Sequence, residues 1–305
     1  MRDLATNPNN ADRDQRSIAY TRWVIETLNI PGLSDIHVHF MPDNVMGKVW
    51  NYFDKEGPLV ARKWPIRYKA TTQNRLQLLS KLGVVEFPSL CYPHKAKMAE
   101  WLNDWCTDFA VRHPNVVHSA TFFPEIGVVD YITKSLTEGC RVFKAHIQVG
   151  RYDPRDPLLQ EVWELIELSQ LPVITHCGSG PIPGPFTGIT PIREVLGNFP
   201  KLKIVVAHMG SPQYEEFLQL ATDFANVHLD TTMTFTPFTE ATDPFPYKLV
   251  PRLRELEDKI ILGTDFPNIP YEYDIQIRSL FNLGLGEEWL AKVLWYNGHR
   301  IISKG

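Results

Sequence analysis

The chain has 305 residues, 44% hydrophobic and 22% charged, so it can bury a large core and is not compositionally disordered. Its 31 Lys+Arg against 35 Asp+Glu leave a formal charge of -4, without the basic excess that nucleic-acid binding by phosphate neutralisation needs. The scattered Cys91, Cys106, Cys140 and Cys177 read as reduced thiols, no apolar run is long enough for a membrane span, and the polar start MRDLATNPNNADRDQRS has no signal-type apolar core, so the expected setting is the cytoplasm.

Residues 1–30 read as an N-terminal extension. Eight short β-branched runs follow, each bounded by Gly, Pro or Asp and succeeded by a stretch with helical spacing. In chain order, Asp35–Phe40 leads through a long segment to the helix Arg75–Leu82. Val84–Leu90 leads to Ala96–Arg112, Val116–Phe122 to Val129–Thr137, and Arg141–Ile147 to Leu158–Ser169. Pro172–His176 leads to Ile192–Asn198, Lys203–His208 to Tyr214–Phe224, Val227–Thr231 to Tyr247–Glu257, and Ile260–Gly263 to Ile275–Leu283. A last helix, Glu287–Ile302, closes the chain. Nearly all-apolar runs such as Ile204-Val205-Val206-Ala207 suit strands covered on both faces of a parallel sheet. Strict alternation over eight units predicts an α/β fold, a (β/α)8 TIM barrel, as one unit over residues 1–305. An open doubly wound sheet would carry a glycine-rich loop after its first strand, and none is present. Residues 41–71 instead form a long, aromatic and basic loop insertion after strand 1, with Trp50, Phe53, Arg62, Trp64, Arg67 and Tyr68, of the length that lids have.

Histidines and carboxylates fall at the ends of the expected strands. In Asp35-Ile36-His37-Val38-His39, side chains alternate with period two, so Asp35, His37 and His39 share a face. Two imidazoles at i and i+2 can reach one metal ion, or can be polar strand residues facing solvent. Strand five ends in Thr175-His176-Cys177-Gly178, strand six in Ala207-His208-Met209-Gly210, and strand eight in Gly263-Thr264-Asp265-Phe266-Pro267. Each polar residue follows an apolar run and so sits at the C-terminal mouth, where barrel active sites gather. Histidines at three strand ends and an aspartate at a fourth are hard to explain by packing, because an unpaired buried carboxylate costs several kcal/mol. A divalent cation offsets that charge.

DIHVHFMP, THCGSG, VVAHMG and LGTDFP, in this order on a (β/α)8 pattern, resemble the amidohydrolase superfamily. More narrowly, they look like its amidohydrolase-related branch, which includes the aminocarboxymuconate-semialdehyde decarboxylase relatives. The resemblance runs from Asp35 to about Arg300, and Asn297 in WYNGHRII matches the branch's terminal Asn-containing helix. It implies that His37, His39, His176 and Asp265 hold one divalent metal. Asp265 would also take a proton from the attacking water, and His208 would polarise the substrate or stabilise developing negative charge. Zinc is expected first and Mn2+ second, because a set of three imidazoles and one carboxylate accepts both. Lys144, on the face of strand four that also carries His146, is expected to act as a substrate-binding cation. The alternatives are a carboxylated Lys144 bridging a second metal, or a lysine paired with a neighbouring acid.

Arg62 and Arg67 are expected to bind a substrate carboxylate through guanidinium forks. His94 reads as a solvated loop residue and Cys177 as a packed one. The function expected is metal-dependent hydrolysis of a C-N or C-O bond in a small, anionic molecule. The alternative is metal-dependent non-oxidative decarboxylation of an unsaturated or aromatic acid. The intact motif set argues against a metal-binding scaffold without catalysis. The expected partner is a small-molecule substrate, with no nucleic acid and no membrane, and the chain is expected to form a homo-oligomer, a dimer.

Overall fold

The apolar runs become nine short parallel strands in the computed structural model, which describes residues 8–56 and 63–303. They are β1 (Leu33–Ser34), β2 (Val84–Pro88), β3 (Val116–Val117), β4 (Ser119–Thr121), β5 (Val142–His146), β6 (Pro172–His176), β7 (Lys203–Val206), β8 (Val227–Asp230) and β9 (Ile260–Ile261). β3 and β4 are two halves of one run interrupted at His118, the first pairing with β2 and the second with β5. Nine segments therefore make eight staves, ordered β1-β2-β3 and β4-β5-β6-β7-β8-β9. Between the last stave and the first, the Ile36 N–H donates to the Leu262 carbonyl (3.0 Å) and Val38 bridges to Phe266 in parallel. The result is the expected (β/α)8 barrel, its helices outside.

Inside the staves, Ile36, Leu90, Val117, Val142, Ile174, Val205 and Ile261 meet Ile302 in one buried cluster. Strand alternation then decides what stands above this plug. Two residues beyond Val142 comes Lys144 and two beyond that His146, while two beyond Ile174 comes His176. The same faces that fill the barrel floor with aliphatics line its mouth with nitrogen.

Two segments differ from expectation. The run Asp35–Phe40 keeps only a single bridge at Val38, and the regular ladder lies earlier, at Leu33–Ser34. Its backbone is shared between two neighbours: Asp35 donates to Glu86 of β2, whereas Ile36 and His39 donate to Leu262 and Phe266. A register shift between Leu33 and Ser34 accompanies that division.

The insertion is not wholly a loop. It opens with a helix, Asp43–Glu56, because Val45, Met46, Val49 and Trp50 form an apolar stripe against Met41, Cys91, Leu102 and Cys106. The helix expected from Arg75 begins at Thr72, capped by Thr71, whose hydroxyl accepts the Asn74 N–H (3.2 Å). The N-terminal extension is largely a helix, Pro8–Thr27, packed on Thr72–Leu82 and Asp274–Phe281. Its Arg22 caps the end of Thr72–Leu82 by donating to the Ser80 (2.6 Å) and Lys81 (2.8 Å) carbonyls. All four cysteines are free and buried, and no helix among the described residues is long and apolar enough to cross a membrane.

Candidate metal centre

Because the first and last staves are neighbours, His37 and His39 after β1 stand beside Asp265 after β9. The Asp265 N–H donates to the His37 carbonyl (2.9 Å), and His39 Nε2 lies 3.0 Å from Asp265 Oδ1. One ligand atom from each of the three residues falls within 4.8 Å of the other two, all three being buried. The outer ring nitrogens are held from behind: His37 Nδ1 lies 2.9 Å from Asp230 Oδ2, and His39 Nδ1 lies 2.7 Å from the Leu90 carbonyl. Such contacts fix the tautomer and aim each Nε2 lone pair inward. His39 thus has an acceptor at both nitrogens, the Leu90 carbonyl and the Asp265 carboxylate, while a neutral imidazole carries one hydrogen. A second ring proton or a divalent cation between Nε2 and Oδ1 satisfies both acceptors, and the convergence of His37, His39 and Asp265 within 4.8 Å makes this donor set fit a metal.

Electrostatics agree. Burial, then the charge of Lys144, holds His37 well below the usual histidine value, leaving its lone pair available. Burial alone raises the Asp265 carboxyl, yet the contact with His39 and the neighbouring His37 and His208 bring it below its ordinary range, so it is ionised at neutral pH.

His176 ends β6 opposite His146 in the parallel register and lies outside the three-residue group. Its Nε2 sits 3.0 Å from the Gly180 carbonyl, which makes Nε2 the protonated nitrogen and leaves Nδ1 as the free lone pair; burial pushes its pKa down to about 3. His208 follows β7 in the turn Ala207–Gly210 with a left-handed backbone, φ 54°. Its N–H donates to Asp230 Oδ1 (2.8 Å), and burial pushes its imidazole down to about 4. Lys144 is completely buried, with Nζ 3.0 Å from His37 Nε2, and burial lowers it to about 8.

The expected fork of Arg67 is not brought to this cluster. Trp64, Ile66 and Tyr68 are buried, so Arg67 between them points the opposite way, as alternation in an extended segment requires. Its Nη2 donates to Asp14 Oδ1 (2.7 Å) in the N-terminal helix, with Glu272 at 3.9 Å. Arg62 lies outside the described residues. His94 is exposed, as expected of a loop residue.

Other participants were not evident in sequence. Asp230 touches both His37 and His208, and its one available signal was an acid closing an apolar run, the signal used at Asp265. Asp35 shares the spacing of His37 and His39 without joining them. It accepts from the Thr264 hydroxyl (2.6 Å), the Tyr273 hydroxyl (2.9 Å) and the His37 N–H (3.2 Å), and burial raises it to about 7. Tyr92, beyond β2, packs edge-on against His39, and burial followed by the Asp265 charge raises its phenol.

The amidohydrolase family profile matches residues 34–302. No curated protein compared with the chain matches it. Among solved structures, the chain is similar to 5-carboxyvanillate decarboxylase LigW from Sphingomonas paucimobilis, at 17% identity and TM-score 0.64, covering 90% of this chain and 100% of that one. It is similar to the probable 2-pyrone-4,6-dicarboxylic acid hydrolase from Acinetobacter baumannii, at 13% identity and TM-score 0.62, over 90% and 100%. It is also similar to 5-carboxyvanillate decarboxylase from Novosphingobium aromaticivorans complexed with manganese, at 13% identity and TM-score 0.59, over 90% and 96% of the two chains. At such identities the likeness concerns the fold. The profile, in contrast, runs from Ser34 of β1 to Ile302 and takes in all four motifs that converge at the barrel mouth, so the chain belongs to the amidohydrolase family.

Proposed function

We propose that this protein is a metal-dependent hydrolase that cleaves a C-N or C-O bond in a small, anionic molecule. The observation that carries the reading is the convergence of His37, His39 and an ionised Asp265 within 4.8 Å, beside a neutral His208. The family is metal-dependent, and His37 Nε2, His39 Nε2, His176 Nδ1 and Asp265 are the atoms that would hold the ion, zinc before manganese. A bound divalent cation supplies Lewis-acid polarisation of a carbonyl and brings the pKa of water to near 7.

Asp265 then takes the proton of the attacking water at its carboxylate, a role that its ionised state permits. His208, neutral and uncharged, donates a hydrogen bond to the oxygen on which negative charge develops. Lys144 adds a buried positive charge on the Nε2 side of His37, the side that faces the cluster. Its contact is that of an amine with an imidazole, which supports a single metal.

Decarboxylation of an unsaturated or aromatic acid is the second reading, supported by the decarboxylases of like fold; the pairing of Arg67 with Asp14 and Glu272 removes one source of carboxylate recognition for it. The test is a turnover screen of zinc- and manganese-loaded protein on lactones, amides and carboxylated aromatics, following acid, ammonia and CO2 release in parallel. Hydrolytic release is expected, with Asp265→Asn slower by about 10^2 or more, because it loses the general base and a metal ligand together. CO2 release without hydrolysis would replace this reading with the second.

A further inference from the structure

Six aromatic side chains close a circle around the barrel mouth. Ring centroids are separated by 5.1 Å from His37 to His39, 5.5 Å from His39 to Tyr92, and 4.6 Å from Tyr92 to His146. The circle continues with 4.2 Å from His146 to His176, 4.8 Å from His176 to His208, and 5.2 Å from His208 back to His37. Four of these rings belong to the motifs already assigned to metal and catalysis. The other two, Tyr92 and His146, are neighbours on one arc between His39 and His176.

Each of the two carries a polar atom with no hydrogen-bond partner among the described residues. His146 Nδ1 accepts the Val149 N–H (3.3 Å), so a hydrogen sits on Nε2 whether the ring is neutral or charged. The Tyr92 hydroxyl, within electrostatic reach of Asp265, is likewise a donor. Two residues before His146 on the same face of β5 lies the buried Lys144, whose charge acts on the His146 ring. The arc therefore presents two adjacent donors, one of them within the field of a buried lysine, which suits an anionic acceptor.

We propose that Tyr92 and His146 form an oxyanion subsite that binds a carboxylate of the substrate while its reacting group lies at the His37-His39-Asp265 cluster. This rests on the metal-centre reading above and narrows its substrate class to small molecules bearing a carboxylate beside the scissile group. Recognition by these neutral donors takes the place expected of Arg67.

The experiment compares the binding of isophthalate and benzoate to zinc-loaded protein by calorimetry, in the unaltered chain and in Tyr92→Phe and His146→Phe, each of which keeps a ring and removes a donor. The unaltered chain is expected to bind isophthalate about tenfold more tightly than benzoate, the scale of a hydrogen bond to a charged group. That ratio should fall toward one in both variants, with zinc content and thermal midpoint retained. Tyr92→Phe alone decides the matter if His146→Phe does not fold. Absence of the preference in the unaltered chain, or an unchanged ratio in the variants, overturns the proposal. Because binding is read without turnover, a protein that shows the preference yet hydrolyses nothing keeps the subsite and loses the hydrolase assignment.

Discussion

Asp230 is completely buried and takes donors on both oxygens: His37 through Nδ1 on one, and the His208 and Thr232 (3.1 Å) backbone N–H groups on the other. Two consequences follow from one carboxylate. It fixes the imidazole tautomer of His37, and it pins the left-handed backbone of His208, a conformation that costs a non-glycine residue free energy unless its surroundings enforce it. An amide in this place can still accept from the backbone but turns a donor toward His37 or loses charge there. Asp230→Asn is therefore expected to weaken metal binding by about 10- to 100-fold, as loss of a carboxylate behind a ligating histidine does. Competition with a chromogenic chelator measures this directly. An unchanged affinity would show that His37 is oriented by something else.

Among the elements, the short first and last strands matter most, because they approach each other closely enough to bring the site together. Gly263, just past β9, permits that approach. A Cβ there would meet the Thr232 hydroxyl in direct overlap, His37 Cβ at 2.9 Å and Asp230 Cγ at 3.1 Å. Gly263→Ala should cost about 1–3 kcal/mol of stability by overpacking, and it should also weaken metal binding because the clash falls on His37 itself. Urea unfolding and chelator competition on the same sample test both parts; a loss of stability alone would separate packing from the site.

β8 carries a second test. Burial first, with the charges of Lys259, Arg300 and Lys203, lowers His228 to about 4 from its ordinary 6.5. The unfolded chain thus binds more protons between those values, and stability that is full above about pH 6.5 falls as pH drops toward 4. At pH 5 the loss reaches at most about 2 kcal/mol, less what partial solvation recovers. His228→Gln should lessen the fall of the urea midpoint between pH 7 and pH 5 without abolishing it, because the buried His37, His176 and His208 are shifted in the same direction, whereas an identical pH slope would place the acid sensitivity with those other histidines.

The barrel itself was legible from strand and helix alternation, and His37, His39 and Asp265 from their place after apolar runs. Asp230 was not, since nothing in its own strand announces contacts with His37, 193 residues away in sequence. Arg67 was misread because residue type suggests a carboxylate fork, while the burial of Trp64, Ile66 and Tyr68 decides which way it points.

At the scale of the whole molecule, the candidate metal centre lies across the seam that closes the barrel. The first stave and the last contact each other through few backbone hydrogen bonds: Ile36 to Leu262 (3.0 Å), Asp265 to His37 (2.9 Å) and His39 to Phe266 (2.7 Å). By comparison, β5 and β6 pair over four registered residues, as do β6 and β7. An ion held by His37 and His39 on one side and Asp265 on the other would tie together chain segments more than two hundred residues apart, across a seam joined by a short ladder. Binding to the folded state alone stabilises it by RT ln(1 + [metal]/Kd), about 2.7 kcal/mol at a hundredfold excess over Kd. Zinc addition should therefore raise the thermal midpoint and slow amide exchange most at Ile36, His39 and Asp265, while chelation reverses both effects. Asp265→Asn should lose most of the stabilisation, because it removes the one anionic ligand, and the one that the last stave supplies, leaving only the neutral imidazoles of His37, His39 and His176. A midpoint and seam exchange that are indifferent to metal in the unaltered protein would mean that no ion bridges His37, His39 and Asp265.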